Sequence, residues 1–202
     1  MRLLLSLALL AVLAGCATAP PRDLDNVCEI FREKRGWYDD AQDASKRWGS
    51  PIPVLMAIMH QESRFVAKAK PPRKKIFGFI PGPRPSDSYG YSQALKATWR
   101  GYERSAGNYG ADRDDFGDAI DFIGWYNHQS RQRNGIAPDD AYRLYLAYHE
   151  GHGGFARGSF SRKQWLLSVA RKVERRATLY SGQLAACQKD LEDDGWWLFG
   201  WF

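Results

Sequence analysis

Glu62 stands where the pattern calls for an apolar side chain. Leu55, Ile58 and Met59 recur at threes and fours ahead of it, which predicts a hydrophobic helix carrying Glu62 on its buried stripe. A carboxyl drawn out of water keeps its proton to higher pH and can then give it to a leaving oxygen as a general acid. The bland reading of the same feature is a salt-bridge partner near a helix end. Further polar groups follow in order: Ser63 beside the acid, then Tyr89-Gly90-Tyr91-Ser92-Gln93, then Ala147-Tyr148-His149-Glu150-Gly151. Gly90 admits close backbone approach, Gln93 offers an amide, Tyr148 a hydroxyl and His149 an imidazole. Gln93 could equally be a polar residue at a helix start, and Tyr148 a core tyrosine with its hydroxyl satisfied internally.

His149-Glu150-Gly151-His152 invites a metal reading as well. Its spacing departs from the His-Glu-x-x-His signature, in which both histidines face one side of a continuous helix, and Gly151 should end the helix. No metal or cofactor is therefore expected.

These residues need a scaffold, and the periodicity predicts a helical one. Leu24, Cys28 and Phe31 recur at helical spacing, and Trp37 and Trp48 flank a second, polar helix. Ser50 and Pro53 read as the cap and first turn of the Glu62 helix. Residues 68–85 are rich in Pro, Gly and basic side chains and predict a long loop that breaks both helix and strand patterns. Helices are expected again at 92–104, at 115–132 with Gly135 as a stop, from Pro138 to Gly151 with Ala141, Leu144, Tyr145 and Tyr148 on one face, and at 161–192. No strand and no internal repeat is evident. The fold class is mainly α, one domain with a long N-terminal and a long C-terminal helix packing together.

The chain begins like an exported one. Arg2 precedes the apolar or small run Leu3 to Leu13, too short for a bilayer-spanning mature helix, and Leu13-Ala14-Gly15-Cys16 follows. That ending resembles a bacterial lipobox, which implies cleavage after Gly15 and a lipid on Cys16; an ordinary secretory signal is the alternative. Lys and Arg number 29 against 23 Asp and Glu; losing Arg2 with the signal leaves 28 minus 23, or +5. A modest positive balance suits anionic partners, and for an exported chain these are cell-wall carboxylates and lipid head groups, with no nucleic acid expected. Cys28 and Cys187 remain as a pair in an oxidising compartment, read as a disulfide, with two buried free thiols as the alternative. The limits expected are 1–15 signal peptide, 16–23 tether, 24–192 folded domain and 193–202 aromatic tail.

The ordered set Glu62-Ser63, Gly90 to Gln93 and Ala147 to Gly151 resembles the soluble lytic transglycosylases with a goose-lysozyme-like domain, in their lipoprotein branch. The acidic-then-apolar run Asp118 to Tyr126 resembles the family's intervening helix, so the resemblance covers about 51–155. It implies a single lysozyme-like helical domain, peptidoglycan glycan strands as substrate, Glu62 as catalytic acid then base, and Ser63, Gly90, Gln93, Tyr148 and His149 at the substrate. His149 departs from the family's usual Asn, and the loop 68–85 is longer and more basic than the usual linker. That loop is a candidate contact for anionic strands or a cell-wall protein. Ala17 after the lipidated Cys lacks the Asp of inner-membrane retention, so the resemblance implies the periplasmic face of the outer membrane. Two other readings stand beside this one: a lysozyme-like hydrolase using Asp87, Asp118 or Asp121 as a second acid, and a non-catalytic peptidoglycan-binding lipoprotein.

Overall fold

The computed structural model describes residues 19–77 and 79–196. The expected signal peptide, Cys16 and the last six residues of the expected aromatic tail lie outside the described residues. Seven helices are described: α1 (Val27–Glu33), α2 (Trp37–Trp48), α3 (Ile52–Ser63), α4 (Lys96–Ala106), α5 (Phe116–Asn134), α6 (Ala141–Ala156) and α7 (Gln164–Trp196).

Helix α3 is the centre of the domain. Leu55, Met56, Ala57, Ile58 and Met59 are all fully buried, and a helix that is apolar all round must be enclosed by others. Helices α2, α5, α6 and α7 surround it. The 33 residues of α7 give a rod of roughly 50 Å, enough to run the length of a small domain. It buries Leu166, Ala170, Val173, Ala177, Tyr180 and Leu184 against α1, α3 and α6. Because α3 is wrapped along its length, its final turn, which carries Glu62, is held at a fixed height against α6.

The mainly α, single-domain, lysozyme-like expectation agrees with this architecture, and several local expectations need correction. The N-terminal helix is not long: α1 has seven residues, started by the Asn26 side chain accepting from Cys28 N and Glu29 N. Ser50 does not cap α3; Pro51 holds the cap position, and the buried Ser50 hydroxyl accepts from Asn127 on α5 at 3.0 Å. Helix α4 begins at Lys96 rather than 92, because Gln93 adopts a left-handed backbone (φ 50°) and Tyr89 pairs with Ala94 in an isolated bridge. The basic segment contains a small antiparallel hairpin, β1 (Lys75–Ile76) with β2 (Ile80–Pro81), where no strand was expected. Helix α7 runs on to Trp196, so the segment assigned to the tail begins as helix.

Gly135 does stop α5, in a left-handed conformation that closes onto Arg131 O. The expected pairing of Cys28 with Cys187 is present, with Cα atoms 6.2 Å apart, and ties α1 to α7.

Candidate active site

Glu62 lies half-buried at one side of a cleft of about 480 Å³. Burial pushes its carboxyl up to about 7, and a hydrogen bond from the buried Tyr145 on α6 pulls the other way. The sign follows from solvation: the charged form loses water on entering the cleft, while a donated hydrogen bond favours charge. Near neutral pH the group is therefore poised between acid and base, the condition under which one carboxyl can serve in both roles.

Three elements build the rest of the cleft. From α6 come Tyr148, His149, Glu150 and Gly151; from α5, Phe122 and Tyr126; from the segment before and within α4, Gln93, Leu95 and Thr98. Rings of Trp99, Tyr102, Phe122, Tyr126 and Tyr148 pack one against the next, at centroid distances of 5.0 to 6.4 Å, so α4, α5 and α6 are fixed relative to each other by aromatic contact. Leu95 keeps 46% of its surface exposed at this wall, an apolar platform beside polar groups. A concave, part-apolar site with a few oriented polar groups suits a sugar, whose ring faces are apolar and whose rim is hydroxylated.

The other sequence-derived site residues are placed with different duties. Tyr148 reaches the cleft, but its hydroxyl donates to Ser92 O at 2.6 Å, and the hydroxyl bonded to Glu62 is that of Tyr145. Gln93 lines the cleft while its amide donates to Ala69 O at 3.0 Å and Gly90 O at 2.8 Å, and its carbonyl accepts from Ser88. It braces the turn between the basic segment and α4. Gly90 (φ 79°) is needed by the protein itself: a Cβ there would stand 1.9 Å from Arg113 O. The buried Ser63 donates to Met59 O at 3.3 Å, within its own helix. His149 is at the cleft, its Nδ1 3.1 Å from Glu150 and its ring edge-on to Trp165.

The sequence reading gave Glu150 no catalytic duty, yet Glu62 and Glu150 are the acids in this wall. Burial raises its carboxyl, but hydrogen bonds from Lys163 at 2.7 and 2.8 Å, from Ser159 and from His149 outweigh that and hold it down to about 2. An anion so fully engaged is a poor acceptor for a proton from water. Asp121 accepts from Trp48, Tyr102 and Arg47, and Asp118 from Asn108 and the Asp112 backbone, so both serve the scaffold. Asp87 caps the start of α4 by accepting from Lys96 N. His152 diverges from His149, stacking on Tyr126 with its Nε2 3.1 Å from Ser130. Gly151 (φ 73°, ψ 156°) kinks α6 between them, a conformation closed to other residues, and turns the last helical turn away from the cleft.

The basic segment borders this site at its root. Ser86, just past its end, lines the cleft, and Ala69 near its start is held by Gln93. Its hairpin stands clear of the body with Phe77 and Phe79 exposed. Among the described residues, no helix is long and apolar enough to cross a membrane.

No curated protein sequence matches the chain. The sequence model of the transglycosylase SLT domain matches residues 4–187, nearly the whole length. With the acid at the end of a buried helix and a sugar-sized cleft beside it, the chain belongs to the transglycosylase SLT-domain family, the soluble lytic transglycosylases, which act on peptidoglycan.

Proposed function

We propose that the protein cleaves the β-1,4 bond between N-acetylmuramic acid and N-acetylglucosamine without water, with Glu62 as acid and then base. The observation that carries this reading is the pairing of Glu62, raised to about 7, with a second cleft acid locked in an ion pair. Most glycosidases use two free carboxyls, one to protonate the leaving oxygen and one as nucleophile or base. Here one is free. The substrate can supply the missing nucleophile: its 2-acetamido oxygen attacks C1 as Glu62 protonates the glycosidic oxygen and the C1–O bond breaks. The Glu62 carboxylate then takes the proton of the C6 hydroxyl, whose oxygen displaces the acetamido oxygen from C1 and closes a 1,6-anhydro ring. The proton count balances and Glu62 ends protonated. Tyr148, Gln93 and His149 shape the cleft, and Leu95 offers a sugar face its platform.

Digestion of purified murein tests this directly. The expected muropeptides end in 1,6-anhydro-N-acetylmuramic acid and are ~18 Da lighter than hydrolysed counterparts, since no water is added. Ordinary reducing ends would make the protein a hydrolase and turn attention to Glu150; no fragments at all would leave a binding protein.

The lipobox-like Leu13-Ala14-Gly15-Cys16 supports a lipoprotein anchored by Cys16 at the periplasmic face of the outer membrane. Labelled palmitate is expected in the wild-type protein and absent from Cys16→Ser. Unlabelled, wholly soluble wild-type protein would refute the anchor. The exposed Phe77 and Phe79 of its hairpin support the reading of the basic segment as a contact for anionic strands or a wall protein.

A further inference from the structure

Helix α3 borders a second cleft on another of its faces. His60 and Glu62 are two residues apart, roughly 200° round the helix, and so point to opposite sides. On the His60 side, α3 and α7 enclose a separate cleft of about 450 Å³. Its walls carry Arg64, Lys172, Arg175 and Arg176, and no acidic side chain lines it. Arg176 is neutralised by Asp25 at the rim, which leaves three cationic groups. Among the described residues the side chains of Arg64, Lys172 and Arg175 have no hydrogen-bond or ion-pair partner. The ring of His60 lines this cleft and also meets the buried Phe65 edge-on, and its Nε2 is buried without a hydrogen-bond partner.

A buried ring nitrogen with no partner is uncommon in a native structure and calls for a reason. Burial and the neighbouring Arg176 and Arg64 hold the imidazole down to about 4, against the weaker pull of Asp25, so it is neutral and has one N–H to donate. Charges spread over a convex face are served by water. Here they converge on a concavity whose lining also includes the apolar Ala57, Val173 and Leu179. An oxyanion attached to a partly apolar body fits that combination, and Arg is suited to bind phosphate through two parallel hydrogen bonds.

The chain path favours lipid as its source. Arg176 holds Leu24 O at 3.2 Å and pairs with Asp25, and Tyr180 donates to the same carbonyl. The segment leading back to Cys16 thus leaves from the rim of this cleft. Eight residue steps lead from Leu24 back to Cys16 and span at most about 29 Å. We infer that the α3–α7 cleft binds the phosphate headgroup of an anionic phospholipid and seats the enzyme on the bilayer with its catalytic cleft on the opposite face of α3. The membrane's proximity rests on the anchoring proposed above; binding in the cleft does not.

The test uses the full-length protein in neutral maltoside micelles, with histidine labelled by ¹⁵N. Dihexanoylphosphatidylglycerol should shift the His60 ring signals saturably and raise the pH at which they titrate, since a bound anion favours the imidazolium. Among the groups facing His60, which are Arg64, Arg176, Asp25, Lys172 and Arg175, the exposed pair Lys172 and Arg175 can be changed without touching the core. Lys172→Ser with Arg175→Ser should weaken binding roughly tenfold or more, as loss of a charged hydrogen bond does. Murein cleavage by that variant in detergent should be unchanged. No His60 response to the lipid, or an equal response in the variant, overturns the site. A stronger response to acetyl-D-alanyl-D-alanine assigns the cleft to cell-wall peptides, and a response to inorganic phosphate alone to a free anion; either overturns the lipid reading. The lipid reaches the cleft from solution or from the neutral micelle, so the result is independent of whether Cys16 is acylated, which the protein's mass reports separately.

Discussion

Glu62→Gln is expected to fold, to bind murein and to lose cleavage by ~10² to 10⁴-fold, the usual worth of a positioned general acid or base. Gln keeps the shape and the hydrogen bond to Tyr145 but can neither give a proton to the glycosidic oxygen nor take one from the C6 hydroxyl. Muropeptide release against time measures the loss, and full activity in the variant would remove Glu62 from the mechanism. The pH dependence has a defined sign. Glu62 starts the reaction protonated, so activity should fall as pH rises through about 7. The Tyr145 hydrogen bond favours the charged form, so Tyr145→Phe should move that alkaline limb to higher pH. Stability runs in parallel: with a folded-state value of about 7 against 4.5, the native protein holds the proton longer than the unfolded chain. Wild type therefore loses stability as pH climbs from about 4.5 to 7, and Glu62→Gln does not. Above pH 7 the variant should be the more stable by on the order of 2 kcal/mol, allowing for the partial exposure of Glu62. Melting curves of both proteins at pH 4.5 and pH 8 read this directly, with coincident curves at both pH values counting against a buried carboxyl.

The parts of this site that rest on periodicity were legible in the sequence, and those that rest on rotation and register were not. Glu62 follows Leu55, Ile58 and Met59 on a stripe whose spacing shows without coordinates, and the Trp37–Trp48 helix is bounded by its own aromatic ends. Tyr145 and Tyr148 both lie on the inner face of α6, one turn apart, and either could reach the acid. Which one does depends on how α6 is turned against α3, a property of packing between two segments about 80 residues apart. Gln93 announces an amide, but nothing in its neighbours announces the left-handed backbone that folds that amide back onto Ala69 and Gly90. Glu150 looks like one more surface acid until Lys163 and Ser159, from the turn before α7, close over it. The cleft behind α3 exists only because α7 places Lys172 and Arg175 opposite Arg64, a register that α7's own pattern leaves open.

Reduction of the Cys28–Cys187 link should have the largest effect on stability of any single covalent change. The bridge closes a loop across a sequence separation of 159 residues, and in the loop-entropy account such a crosslink raises the free energy of the unfolded chain by about 5 kcal/mol, an upper figure. Its native-state role points the same way. Helix α1 is seven residues long, too short to persist without support, and it buries Val27, Ile30 and Phe31 chiefly against α7. Apart from the disulfide, the Gln183 side chain ties α7 to Val27 N of α1 at 2.9 Å and to Asp25 O just ahead of it at 3.0 Å. Cys28→Ser with Cys187→Ser should therefore lower the unfolding free energy by several kcal/mol in denaturant titrations and release the first helix before the rest. Amide exchange should then be faster in α1 and in the part of α7 beyond Tyr180, while α3 and the Glu62 cleft keep their protection. Because Leu24 and Asp25 are fixed to Arg176 and Tyr180 just ahead of α1, fraying there would also loosen the rim of the α3–α7 cleft. The serine variant should thus bind the anionic lipid more weakly while cleaving murein at an unaltered rate at low temperature. Equal unfolding midpoints for the oxidised and serine forms, or two free thiols by alkylation of the native unreduced protein, would refute the crosslink's part in holding the ends together.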